Sequence, residues 1–180
     1  KRVARTARIA GGVLLAGQQW AMDFMQDSLA SGRPFRTLNV VDLATRECLA
    51  IEVDTSLPGA RVARVLARLC EAHGRPTTIT MDNGPEFAGL VLDAWAYKEG
   101  VQLDFIDPGK PMQNGHLESF NGKFRDECLN QHWFTDLDDA RATIAAWRED
   151  YNTVRPHSAL GNLTPVDFAQ RLQQPGMLSA

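Results

Sequence analysis

The hydropathy pattern changes period near residue 55, and that change limits the class of fold this chain can adopt. Before it, residues 18–25, 35–42 and 47–53 are short apolar runs of strand-like composition, the first alternating Trp20, Met22 and Phe24 with Asp23. Residues 42–46 between the second and third runs suit an antiparallel hairpin, which predicts a three-stranded meander whose first strand is half-buried and displays one acid. After the change, Val62, Val65, Leu66, Leu69 and Cys70 recur at helical spacing, behind Ser56 as a cap candidate and Pro58, and ahead of a stop at Gly74. Residues 77–81 form a short buried strand ending at Asp82, and Asn83 with Gly84 makes a turn. Phe87, Leu90, Val91 and Trp95 mark a second helix, and residues 103–106 a fifth strand. The order βββαβαβα predicts an α/β fold: a mixed five-stranded sheet, an antiparallel meander plus parallel strands, flanked by helices.

Beyond a breaker-rich loop at 107–111, a long helix is expected from about residue 112 to 131. Leu117, Phe120, Phe124 and Cys128 give it an apolar stripe, and Asn114, Glu118, Asn121 and Arg125 a polar one beside it. One face can pack on the sheet while the next looks into a cleft. Thr135 followed by Asp138 announces a last helix carrying Leu137, Ala140, Ile144, Trp147 and Tyr151. Residues 152–161 read as irregular. Trp95, Trp133 and Trp147 fall at apolar helical positions, as core or partner-surface residues. A chain of 180 residues with 44% hydrophobic content can bury one sizeable core. The expected organisation is a linker tail of a missing upstream domain over 1–17, a core over 18–151 and a C-terminal extension over 152–180.

Composition excludes several classes. Cys48, Cys70 and Cys128 are odd in number and lack CxxC pairing, and His73, His116, His132 and His157 are scattered, so neither a disulfide framework nor a zinc site is indicated. A reducing cytoplasm fits that usage. No run approaches the roughly 20 apolar residues that cross a bilayer, and no small-molecule cofactor or membrane partner is called for. The net charge of -3 lacks the basic balance of many DNA-binding modules. It is offset locally by Lys1, Arg2, Arg5 and Arg8, and by acids that a metal would neutralise.

Those acids carry the chemistry. Asp23 lies in a strand, Asp82 at a strand-to-turn boundary and Glu118 on a helix face, three platforms that can aim carboxylates into one cleft. Taken singly, Asp23 reads as a solvated acid, Asp82 as an Asx-turn residue and Glu118 as surface charge. Together they form a set of hard oxygen ligands suited to Mg²⁺ or Mn²⁺, and two such ions about 3.5–4 Å apart serve in-line phosphoryl displacement. Crowded carboxylates repel, so at least one should titrate high, and metal binding should release protons.

Asp82-Asn-Gly-Pro-Glu-Phe87, the block from Pro108 through Gln113-Asn-Gly-His-Leu-Glu-Ser-Phe-Asn121 to Asn130, and Tyr151-Asn-Thr-Val-Arg-Pro-His-Ser-Ala-Leu-Gly161 resemble signatures of DDE transposases and retroviral integrases. Within that group the chain is most similar to the insertion-sequence-three family of bacterial transposases, over roughly residues 18 to 170. The resemblance implies an RNase H-like fold, with Asp23, Asp82 and Glu118 as catalytic ligands of two Mg²⁺ (or Mn²⁺) ions and Arg125 as a DNA contact. It further implies hydrolysis at transposon ends to free a 3′-hydroxyl, attack of that hydroxyl on another DNA phosphodiester, and a homo-oligomer assembled on DNA. Lys110 is a candidate phosphate grip, otherwise a solvated lysine. Asn114 is a candidate to orient Glu118 or touch DNA, otherwise a helix cap. Glu86 most simply stabilises a helix N-terminus, and His116 and His157 are better explained by structural hydrogen bonds than by DNA. An RNase H-type nuclease and a non-catalytic, transposase-derived DNA-binding domain are the competing readings.

Overall fold

The computed structural model describes residues 15–85, 87, 89–107 and 115–174. Its elements run β1 (Gln19–Ser28), β2 (Pro34–Asp42), β3 (Cys48–Asp54), α1 (Gly59–His73), β4 (Thr78–Met81), α2 (Leu90–Glu99), β5 (Gln102–Phe105), α3 (Gly115–Glu127), α4 (Leu137–Thr153) and α5 (Pro165–Gln173), with single 3-10 turns at Leu129–Gln131 and Ser158–Leu160. The strands hydrogen-bond in the order β3-β2-β1-β4-β5. The β1–β2 and β2–β3 pairs are antiparallel, and β4 and β5 continue the sheet in parallel. The expected meander and mixed sheet are present.

β1 is the central strand, and both of its faces are covered. Trp20 and Met22 join Leu38, Val40, Val62, Leu66, Ile79, Met81 and Leu92 in a core under α1 and α2. Ala21 joins Phe35, Val41, Leu117, Phe120, Phe124, Ile144 and Trp147 in a second core under α3 and α4. The half-buried strand expected for residues 18–25 is buried at Trp20, Ala21 and Met22 and partly buried from Asp23 to Met25, and α3 covers the Asp23 face, which alternation within the strand cannot reveal.

Several boundaries differ from expectation for identifiable reasons. α1 begins after Pro58, with no side-chain cap, so Ser56 is not its cap. α2 starts at Leu90, after Phe87, and packs through Leu92 and Ala96. That phase leaves Leu90 79% exposed and Val91 half-exposed. α3 ends at Glu127 and gives way to the 3-10 turn Leu129–Gln131, and His132 Nδ1 pairs with the Cys128 carbonyl at 2.7 Å. The first residues of the expected long helix, 112–114, lie outside the described residues. The cap of α4 is Asp136, whose carboxylate accepts the Asp139 N–H, while Thr135 donates to Asp139. Trp133 falls between the elements and is 86% exposed, unlike the buried Trp147.

The block after 151 is ordered by the core. α4 continues to Thr153, and the buried His157 pairs through Nε2 with the Tyr151 carbonyl at 3.3 Å and bridges to Leu163 through its backbone. Arg155 ion-pairs with Glu127 and with Asp150. α5 then follows behind a Thr164 cap and Pro165, a helix the sequence reading passed over.

Edge strand β3 is closed by α4. The buried Asn152 accepts the Cys48 N–H and donates to the Cys48 carbonyl, both at 2.9 Å, and Arg148 donates to the carbonyls of Cys48 and Leu49. Asn152→Leu removes the acceptor of a buried N–H while Arg148 still serves the carbonyl. Urea unfolding should show a loss of about 1–3 kcal/mol; an unchanged midpoint would mean that water replaces the amide.

Candidate active site

Asp23 sits on the α3 side of the central strand, directly opposite Asn39 in the β1–β2 register. The last parallel pair between β1 and β4 is Ala21 with Thr80. Asp23 follows two residues after that pair on β1, and Asp82 follows the end of β4 at Met81, near enough for its charge to act on the Asp23 carboxyl. Asp82 begins the turn after β4, where its Oδ1 accepts the Gly84 N–H at 3.0 Å. Asn83 donates from Nδ2 to the Ile106 carbonyl at 2.8 Å and ties that turn to the end of β5. Asp82 thus has the Asx-turn role expected of it in isolation, with its side chain still exposed. Glu118 is exposed in the first turn of α3, whose Leu117, Phe120 and Phe124 anchor the helix to the sheet.

The polar stripe of α3 runs over β1. Asn121 donates from Nδ2 to Asp23 Oδ2 at 3.0 Å, and one turn on, Arg125 donates to the Gln26 carbonyl at 2.7 Å and faces Asp27 at 3.6 Å. Arg125 is half-buried against β1 while keeping part of its guanidinium open. Lys110, Asn114 and Glu86 lie outside the described residues. His116 is exposed on α3.

Electrostatics couple the three acids. Burial pushes the Asp23 carboxyl up to about 6, the negative charges of Asp82 and Glu118 add to the rise, and the Phe24 N–H and the Asn121 amide oppose it. Both partners predicted from sequence therefore act on Asp23 from separate elements. Among the described residues, no three His, Cys, Asp or Glu side chains stand close enough to form a metal-holding group. The donor chemistry nonetheless fits a hard divalent cation: three carboxylates, two of them exposed, and a third whose burial and anionic neighbours disfavour its own charge.

The linkage has a definite sign. A cation held by Asp23 requires the carboxylate, so Mn²⁺ affinity should fall by about tenfold per pH unit below roughly pH 6 and level off above it. Calorimetric titration between about pH 5 and pH 7 checks this, and a flat profile would remove Asp23 from the binding group. Without metal, the same raised carboxyl makes the fold less stable as pH climbs from the ordinary aspartate range to about 6, because the folded chain binds the proton more tightly.

Sequence reasoning missed Asn39. It is fully buried in β2, donates from Nδ2 to Asn121 Oδ1 at 2.9 Å, and so stands one residue behind the Asp23 contact. The available signal was a lone amide inside the apolar run 35–42.

An integrase core domain family matches residues 15–111. A second family of the same description matches 99–165. An uncharacterized 31.7 kDa protein of insertion element IS407 from Burkholderia multivorans is 48% identical over 191 residues, covering 95% of this chain and 69% of that protein. An uncharacterized 39.2 kDa protein of insertion element IS476 from Xanthomonas euvesicatoria is 49% identical over 150 residues, covering 83% of this chain and 43% of that protein. The chain thus spans about two thirds of one relative and less than half of the other. The catalytic core domain of HTLV-2 integrase, solved in complex with magnesium in a trimeric form, superposes with a TM-score of 0.70 at 15% identity, over 87% of this chain and 98% of that one. That likeness concerns the fold, and it makes the fold RNase H-like. Sequence and architecture agree: this chain belongs to the integrase core domain family, as a transposase catalytic core of the insertion-sequence-three type.

Proposed function

We propose that this core cleaves DNA at the ends of a transposable element and joins the freed 3′-hydroxyl to a second DNA phosphodiester. Asp23, Asp82 and Glu118 would hold two Mg²⁺ or Mn²⁺ ions. The observation that supports the proposal is that the charges of Asp82, just after β4, and of Glu118, on α3, both act on the half-buried carboxyl of Asp23 on the central strand. A bound divalent cation would supply charge neutralisation at the scissile phosphate and orientation of the attacking oxygen. The magnesium in the HTLV-2 integrase core supports the choice of cation.

The chain's own residues prepare that chemistry. β1 carries Asp23, the turn after β4 carries Asp82, α3 presents Glu118, and Asn121 holds one Asp23 oxygen. Arg125 has five N–H donors, of which the β1 contacts use part, so the remainder can meet a DNA phosphate alongside β1. Lys110 and Asn114 are assigned DNA contacts from the chain segment that leads into α3. Because the reaction joins two ends to a target, the acting form is a homo-oligomer on DNA. The trimeric form of the HTLV-2 core supports such self-association. The thiols of Cys48, Cys70 and Cys128 are free, and no helix among the described residues is long and apolar enough to cross a membrane, which supports action in a reducing cytoplasm.

The test presents the chain with linear and branched DNA and with an RNA·DNA hybrid, with Mn²⁺ and with chelator. Cation-dependent cutting and joining of DNA is the expected result. Cleavage of only the hybrid's RNA strand would make the chain an RNase H-type nuclease, and DNA binding without divalent uptake would make it a binding domain.

A further inference from the structure

We infer that Asn39 is a positioning residue for the metal site: it fixes the amide orientation of Asn121, and through it the direction of an Asp23 carboxylate oxygen. This rests on the assignment of Asp23 as a metal ligand above. A side-chain amide has one accepting and one donating end, and the two differ only by a half-turn. Asn121 lies between a carboxylate, which only accepts, and Asn39 Nδ2, which only donates. The observed orientation satisfies both neighbours, Asn39 Nδ2 to Asn121 Oδ1 at 2.9 Å and Asn121 Nδ2 to Asp23 Oδ2 at 3.0 Å. A half-turn of the Asn121 amide would set oxygen against the carboxylate and nitrogen against nitrogen. The contact from Asn39 therefore makes Asn121 a one-way donor to Asp23.

The surroundings of Asn39 argue against a purely structural role. It is fully buried, it stands opposite Asp23 on the same sheet face, and its own Oδ1 has no hydrogen-bond partner among the described residues. Thr37, two residues back on that face, likewise has an unpartnered buried hydroxyl. A buried amide that leaves its acceptor unpaired lowers stability, and the apolar neighbours Phe35 and Val41 on that face show what packing alone favours there. What Asn39 supplies in return is a donor from a rigid central sheet to a helix side chain at the metal site, the kind of outer support that holds a ligating carboxylate in place.

The experiment is a double-mutant cycle of Asn39→Leu and Asn121→Ala, read by Mn²⁺ titration without DNA and by the dependence of strand joining on Mn²⁺ concentration. Each single variant should weaken Mn²⁺ binding about tenfold, with the maximal joining rate less affected, and the double variant should be no weaker than Asn121→Ala alone. Effects that add across the cycle, or an Asn39→Leu chain with unchanged affinity, would overturn the inference. A measurement on the unaltered protein covers the case in which Asn39→Leu fails to fold: the Asn39 and Asn121 side-chain N–H protons should exchange slowly in NMR, and rapid exchange of both would overturn the relay. An unaltered chain that takes up no Mn²⁺ even with DNA would remove both this inference and the assignment of Asp23 beneath it.

Discussion

Asp82→Asn and Glu118→Gln should each lower Mn²⁺-dependent strand transfer by about three orders of magnitude or more, while thermal unfolding stays close to that of the unaltered chain. The large effect follows from what a carboxylate does at such a site. An amide of the same shape keeps one neutral oxygen but loses the charge that offsets a divalent ion, and that electrostatic term is worth several kcal/mol at the transition state. The small effect on folding follows from position. Both side chains are exposed, and the described bond of Asp82, accepting the Gly84 N–H, can be made equally by an asparagine oxygen. Removing either charge also relieves the repulsion that raises the Asp23 carboxyl, so the metal-free variants should be, if anything, slightly more stable at neutral pH. Gel-resolved joining products and calorimetric melting of the same samples check both halves. A variant that keeps more than about a tenth of the joining activity would take its residue out of the catalytic group.

The sheet was legible because its signals are local. Period-two runs, the turn after Asp42 and the helical recurrence from Val62 to Cys70 each depend on neighbours in sequence, and each gave an element of the right kind in the right order. Boundaries were harder where two chemically similar candidates stood side by side. Thr135 and Asp136 are both good caps, and only the geometry of the Asp139 N–H decides between them. The elements that carry Asp23, Asp82 and Glu118 were legible, since each flank identifies a strand, a turn after a strand or a helix. The nearness of Asp82 and Glu118 to Asp23 was not, because it depends on the pairing of β4 with β1 and on the packing of α3, which no single segment contains. Asn39 was hidden for the same reason: its importance lies in facing Asp23 across a strand pair and Asn121 across a layer, 82 residues away in sequence. Arg125 is the intermediate case. Its place on the polar stripe could be read from spacing, whereas its anchorage on the Gln26 carbonyl needs the packed helix.

Trp147→Ala should cost about 3–5 kcal/mol of unfolding free energy, enough to threaten a fold of ordinary stability. Trp147 is buried where α4 meets α3, with ring centroids 5.7 Å from Phe120, 5.1 Å from Phe124 and 5.3 Å from Tyr151, and with the Arg155 guanidinium 5.8 Å above it. Truncation would leave a cavity that three rigid rings cannot collapse to fill. Trp147→Phe should cost far less than the alanine change. The indole Nε1 has no hydrogen-bond partner among the described residues, so replacing it with a phenyl ring removes an unpaired buried donor along with some packing. The consequence reaches the active site because Phe120 and Phe124 share α3 with Glu118 and Asn121, so the aromatic cluster sets the height and rotation of the helix over Asp23. Urea unfolding of both variants, with Mn²⁺ titration of whichever remains folded, separates packing from site geometry. A loss below about 1 kcal/mol for Trp147→Ala would mean that α3 is held mainly by its sheet contacts and that α4 is a passive cover.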